Sequence, residues 1–315
     1  MFARTERHES PSGASLAWHH RPAEGTPRAI LLICHGLAEH ARRYGRFADA
    51  MAARGFHVYA HDHRGHGETR AADAPLGRFS RQAGAEYVID DVMAMRALAC
   101  SAHPGLPVIL FGHSMGGLIS LNTAVSHPRA FDGVAVWNAN FNPGFAGRLA
   151  QVILRAERML KGSDVPSGIL PKLTFGAWGR SVANRRTDFD WLSRDPAEVD
   201  KYVADPLCGF DASVSLWLDI FALTFRGTRR TSLDRLSRDL PIHLGGGGRD
   251  PATENGKAVE WLAKHLKQAG FSHITFQIYQ DMRHETLNEI GAEAAIDDFA
   301  NWCDRVVTRA RHAGE

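Results

Sequence analysis

Residues 108–117, Val-Ile-Leu-Phe-Gly-His-Ser-Met-Gly-Gly, constrain this chain more than any other stretch of it. Val108, Ile109, Leu110 and Phe111 suit a strand buried on both faces, and Met115 to Val125 reads as a helix, so Ser114 falls on the turn between them. So sharp a turn forces strained backbone angles on the serine, and side chains at Gly112 or Gly116 would crowd the strand and helix that it joins. The helix behind Ser114 aims N–H groups and its positive dipole end at any negative charge formed there. G-x-S-x-G also arises by chance around an ordinary serine in a glycine-punctuated turn. The strand before it and the helix after it are what a nucleophile elbow requires.

The flanking sequence supplies the sheet that such a turn needs. An N-terminal hairpin turns at Pro11-Ser12-Gly13, with Ser15 to His20 as its second arm. Ala29 to Cys34 then reads as a strand, Arg43 to Arg54 as a helix stopped by Gly55, Phe56 to Ala60 as a strand, Glu86 to Ala99 as a helix and Gly133 to Trp137 as a strand. Strand and helix in alternation imply a parallel sheet covered on both faces. From Asn142 to Thr231 no strand-like run occurs, only amphipathic helical segments with many aromatics. Strand and helix resume at Pro241 to Leu244, Gly256 to Ala269, His273 to Tyr279 and Ala294 to Val307. The expected organisation is a core built from residues 1–141 and 232–315, with an inserted helical cap at 142–231.

Composition narrows the function classes. Lys+Arg at 37 against Asp+Glu at 35 gives a net charge of +2, dispersed along the chain, which argues against a nucleic-acid partner. No run of 18 apolar residues occurs and the first residues lack the apolar region of a signal peptide, so a soluble, cytoplasmic protein is expected. Cys34, Cys100, Cys208 and Cys303 are widely spaced, indicating neither a disulfide framework nor a zinc knuckle.

A serine hydroxyl is a weak nucleophile at neutral pH, so a base must take its proton and an acid must orient that base. In chain order after Ser114, the loops that follow strands offer Asp250 and His284. Asp239 precedes its strand, Asp281 crowds His284, and His265 and His273 read as surface residues. The tetrahedral intermediate needs N–H donors, expected from Met115 and from Leu37 in the loop His35-Gly36-Leu37-Ala38, where Gly36 lets the backbone turn.

Taken in order, His35-Gly36-Leu37-Ala38-Glu39-His40 with Arg43-Tyr44, Asp62-His63-Arg64-Gly65-His66-Gly67, Gly112 to Gly117, Asp205-Pro206-Leu207 and His284-Glu285-Thr286-Leu287-Asn288-Glu289 make a series of signatures. With them the chain resembles the monoglyceride lipase and lysophospholipase group of serine α/β-hydrolases, also called the serine aminopeptidase S33 or hydrolase-4 family, over nearly its whole length. The resemblance implies an α/β-hydrolase fold with a mostly parallel eight-stranded sheet and a cap, no metal or other cofactor, a small acyl ester as substrate, Ser114, Asp250 and His284 as the triad, and Leu37 and Met115 as oxyanion donors. Two departures stand out: Thr69 replaces the serine frequent after H-G-x, and residues 142–231 match only weakly.

Other chemistries on the same framework are a small-ester, amide or peptide hydrolase and an acyltransferase. His61, His63 and His66 also suggest a metal-dependent hydrolase, but Gly65 stands where that signature has aspartate. A non-catalytic receptor that kept the fold is the remaining rival. The aromatics of the cap are expected to form its own core, with Trp217 and Phe221 also lining an acyl pocket and Cys208 bordering the leaving group. Phe145, Leu149, Val152 and Ile153 make an apolar stripe, expected to pack on the core, with contact to a membrane or micelle surface as its other use.

Overall fold

The structure, a computed structural model, describes residue 2 and residues 4–314; Met1, Ala3 and Glu315, at the ends of the two expected core segments, lie outside it. Eight strands form one sheet: β1 (Glu6–Glu9), β2 (Ser15–Arg21), β3 (Ala29–Cys34), β4 (Phe56–His61), β5 (Val108–His113), β6 (Gly133–Trp137), β7 (Ile242–Gly247) and β8 (Ile274–Tyr279). Their order is β1-β2-β4-β3-β5-β6-β7-β8. The hairpin pair β1–β2 and the pair β2–β4 are antiparallel and all others parallel.

The unbroken apolar runs follow from burial on two sides. In β3, Ile30, Leu32 and Cys34 enter one core and Ala29, Leu31 and Ile33 the other, and β5 and β6 divide their residues in the same way. Each such Leu or Ile removed from water contributes about 1.5–3 kcal/mol. The first core is closed by α2 (Gly84–Ala102), α3 (Met115–Ser126) and α10 (Lys257–Gln268), the second by α1 (Gly45–Ala53) and α11 (Ala292–Gly314). The helix expected from Arg43 begins instead with a 3-10 turn over Ala41–Tyr44, and Gly55, at φ +85°, ends α1 as expected.

Between β6 and β7 the chain is helical: α4 (Gly144–Lys161), α5 (Leu170–Leu173), α6 (Phe175–Ser181), α7 (Pro196–Ala204), α8 (Val214–Gly227) and α9 (Arg230–Leu233). The lone extended pairing within this insertion, among the described residues, is a bridge from Pro166 to Ser213. α8 packs on α3 through Leu216, Ile220 and Leu223, while Trp191, Leu192 and Tyr202 gather Phe175, Trp178 and Phe189 into a small aromatic core.

α4 departs from expectation. Its buried side is Gly147, Ala150, Leu154 and Glu157, so Phe145, Leu149 and Val152 do not pack on the core but are exposed, with Ile153 half-buried. At 100° per residue the exposed apolar positions lie opposite the buried ones, and small residues at 147 and 150 let the helix sit close on that other side.

Candidate active site

Ser114 is the first residue after β5 and caps α3, with φ 55° and ψ −119°, a strained conformation held by its N–H donating to the Trp137 carbonyl at 2.8 Å. The two glycines beside it are required by backbone, not by side chains. A Cβ on Gly112 would lie 2.1 Å from the Gly116 carbonyl oxygen, and one on Gly116 would lie 2.0 Å from that of Cys34.

The loops after β7 and β8 bring two further side chains to this turn. His284 Nε2 is 3.0 Å from Ser114 Oγ, and His284 Nδ1 is 2.9 Å from Asp250 Oδ2. A carboxylate can only accept, so Nδ1 carries the hydrogen and the Nε2 lone pair faces the serine. Asp250 is fully buried, which alone would raise its pKa. The charge and hydrogen bond of His284, with hydrogen bonds from Asn138 Nδ2 at 3.1 Å and Thr253 Oγ1 at 2.8 Å, more than offset burial and keep the carboxyl below its usual range. Its other oxygen accepts the Ala252 N–H at 2.9 Å. The His284 ring rests against Trp191, with centroids 4.9 Å apart, and its carbonyl accepts from His113 Nε2 at 3.0 Å.

The loop after β3 passes over Ser114. A Cβ on Gly36 would lie 3.4 Å from Ser114 Cβ and 2.6 Å from Glu39 Oε1, so this glycine is needed for close approach; the left-handed residue of the loop is Ala38, at φ 56°. Among the described residues neither the Leu37 nor the Met115 amide has an acceptor within the protein. The Ala38 carbonyl is fixed from the helical insertion, accepting the Tyr202 hydroxyl and the Gly209 N–H, each at 2.9 Å.

Behind the loop lies a charged network that sequence reasoning missed. Glu39 accepts the Gly36 N–H at 2.6 Å, the Tyr44 hydroxyl at 2.9 Å and Arg43 at 2.8 Å, and Arg43 forks onto Glu285 at 2.5 and 2.6 Å. Burial would raise the Glu39 carboxyl, but His113, its Nδ1 3.5 Å away, and the Arg43 charge hold it well below its ordinary value. Burial would likewise lower His113, and Glu39 raises it. Glu39, Arg43 and Glu285 all stand in the signature runs, yet no spacing rule joins residues 242 apart. Asn138 had a visible signal, since it follows β6 as Ser114 follows β5.

The competing side chains lie elsewhere. Asp239, His273 and Asp281 are exposed, and Asp281 pairs with Arg249. His265 is half-buried at the surface, donating to the Thr228 carbonyl and stacked on Trp261. His61, the last residue of β4, and His63 and His66 in the loop after it are buried; His35 Nε2 accepts the His63 N–H and His66 donates to the Arg64 carbonyl, and among the described residues the nitrogens of the three do not gather within 4.8 Å of one another. Thr69 Oγ1 donates to the Asp62 carbonyl and accepts the Ala17 N–H, bonds that a serine could equally make. Trp217 is buried and reaches His284 through Phe175 and Trp191, in ring contacts of 6.0, 5.7 and 4.9 Å. Phe221 instead lines a groove of about 750 Å³ between α4 and α8, and Cys208 packs in the aromatic core beside Tyr202.

Over residues 25–291 the chain matches the family described as serine aminopeptidase, S33. It belongs to that family. Among S33 relatives it is 30% identical to the monoglyceride lipase of Rattus norvegicus over 84% of this chain and 82% of that one. It is 27% identical to the monoacylglycerol lipase of Mycolicibacterium smegmatis (strain ATCC 700084 / mc(2)155) over 88% of each. A thermostable carboxyl esterase from Bacillus coagulans superposes with a TM-score of 0.88 at 22% identity, covering 98% of this chain and 99% of its own, a likeness that establishes the α/β-hydrolase fold.

Proposed function

We propose that this protein is a serine hydrolase of the monoacylglycerol lipase type, with Ser114 as nucleophile, His284 as base and Asp250 as the residue that orients it. The reading rests above all on His284 bridging Ser114 Oγ and Asp250 at 3.0 and 2.9 Å, in a member of a family whose relatives over most of their length are monoglyceride lipases. His284 Nε2 takes the Ser114 proton as Oγ attacks the ester carbonyl; the Leu37 and Met115 amides hold the oxyanion; the protonated His284 then delivers its proton to the departing glycerol oxygen. Water, activated by the same histidine, releases the fatty acid. No step calls for a cofactor.

The helical insertion, residues 142–231, is the proposed cap, with Trp217 on the acyl side and Cys208 toward the leaving group. Exposed Phe145, Leu149, Val152, Met159 and Leu160 on α4, with exposed Arg148, Arg155, Arg158 and Lys161 beside them, support transient docking on a membrane or micelle surface. Among the described residues no helix is long and apolar enough to cross a membrane. Four cysteines, all unbridged, support a cytoplasmic location.

The test is turnover of monoacylglycerols and p-nitrophenyl esters of rising chain length by the purified protein. Each buried methylene contributes about 0.8 kcal/mol, so kcat/KM should climb up to about fourfold per CH₂ until the pocket is full. Faster turnover of acetyl and butyryl than of octanoyl and decanoyl esters, below micelle formation, would make a small-ester or amide hydrolase the better description. Absence of fluorophosphonate labelling at Ser114 would leave the non-catalytic receptor.

A further inference from the structure

Three histidines that the proposed mechanism does not use meet at the opposite end of the sheet. His57 is the second residue of β4, His20 lies near the end of antiparallel β2, and His103 caps the C-terminus of α2. They therefore sit where the parallel strands begin, whereas Ser114, Asp250 and His284 follow strand ends. His20 Nε2 and His57 Nδ1 are 3.3 Å apart, and one nitrogen from each of the three rings lies within 4.8 Å of the others. His57 is buried while His20 and His103 are half-buried, so the group borders solvent.

We propose that His20, His57 and His103 form a binding site for a borderline transition-metal dication, Zn²⁺ above all. Zinc–imidazole bonds of about 2.0–2.1 Å in a tetrahedron place neighbouring donors about 3.3–3.4 Å apart, the separation already present between His20 and His57. Three imidazoles without a carboxylate select zinc, nickel or copper over magnesium or calcium. Burial, then the neighbouring imidazoles, hold His20 down to about 4, and burial also lowers His57 and His103, so all three are uncharged at neutral pH. The His57 Nδ1 lone pair accepts the Ala23 N–H at 3.3 Å, a bond that the ion must replace. A further adjustment is required. His103 stacks on His57 at 3.5 Å and 14°, with the two rings nearly parallel, and must turn about its side-chain torsions to face a shared ion. It is the member on a helix end, so that turn displaces no strand, and the Tyr59 hydroxyl, 2.9 Å from its Nε2, is at hand to orient it. The other gathering of potential ligands, His40, Asp205 and Cys208, suits a metal less well, because burial pushes the Cys208 thiol up and it keeps its proton.

The site joins β2, β4 and α2, so an ion there stabilises the fold at a distance from the chemistry. Tag-free protein, stripped with EDTA and dialysed, is titrated with ZnCl₂ by calorimetry and by thermal melting, with MgCl₂ as control. One equivalent of Zn²⁺ is expected to bind at micromolar concentration and raise Tm by a few degrees, with no response to Mg²⁺. His57→Phe and the half-exposed His103→Ala should each weaken binding by about tenfold or more, with hydrolysis in the absence of metal unchanged, while Cys208→Ala binds as wild type. No binding by wild type at about 100 μM Zn²⁺, or loss of binding in Cys208→Ala with the histidine variants unaffected, overturns the proposal.

Discussion

His284 meets the rest of the site through every face it has: Asp250 at one nitrogen, Ser114 at the other, Trp191 against the ring and His113 on the carbonyl. Removing a member of such a set costs nearly all of the chemistry because the others act only through it. Ser114→Ala or His284→Ala should lower kcat by about four to six orders of magnitude with the fold intact; more than a tenth of wild-type activity in pure Ser114→Ala would exclude the serine mechanism. Asp250→Asn should cost about 10⁴-fold, since an amide no longer dictates which imidazole nitrogen holds the hydrogen. Asp239→Asn, at an exposed position, should be silent, and the reverse outcome would transfer the acid role.

At the scale of elements, chain order and strand ends were legible because they are local: an apolar run, a glycine turn and a helix announce Ser114, and strand ends announce Asp250 and His284. What could not be read is what depends on three-dimensional return. The Arg43–Glu285 pair and the Trp191 contact with His284 join distant segments, and the orientation of α4 hangs on which of two apolar stripes is the buried one. The stripe of larger side chains invited the wrong choice, because Gly147 and Ala150 pack closer than Phe145 or Leu149 would. If α4 docks on lipid, Phe145→Ser with Leu160→Ser should weaken vesicle binding at least about tenfold, given about 1.5–3 kcal/mol per buried side chain. Turnover of a water-soluble short ester should not change. Equal vesicle binding by the double variant and wild type would remove α4 from the interface.

Over the whole molecule, buried imidazoles set the acid limit. Burial holds His61 and His66 down to about 4 and His243 to about 3, and lowers His35 and His63 well below the ordinary value. Unfolded imidazoles titrate near about 6.5, so below that pH the unfolded chain takes up protons that the folded chain refuses, and stability falls as pH drops from about 6.5 toward 4. His113, which Glu39 raises, acts in the other direction, its contribution present below about 6.5 and lost as pH rises through its folded pKa, but it is outnumbered. Asp250 and Glu39, both lowered, add their losses only below about 4.5. Burial also raises Asp219 to about 7 and lifts Asp62 and Asp91, so the folded chain takes up these protons more readily than the unfolded one and they oppose the histidines, which outnumber them. The urea midpoint should therefore decline between pH 7 and 5; a constant midpoint would show that these histidines are solvated.

The two hydrogen bonds on the Ala38 carbonyl make the insertion and the loop after β3 one mechanical unit. Leu37 is separated from Tyr202 and Gly209 by a single residue and a carbonyl, so any displacement of α7 would also slacken the loop carrying the Leu37 amide. If, as proposed, substrate enters under the insertion and the Leu37 amide holds the oxyanion, entry and turnover become alternating states of the same joint, with full charge stabilisation restored only on closure. Tyr202→Phe, which removes one of the two bonds on the Ala38 carbonyl, should accordingly register in kcat more than in KM. A change confined to KM would mean that the joint does not transmit.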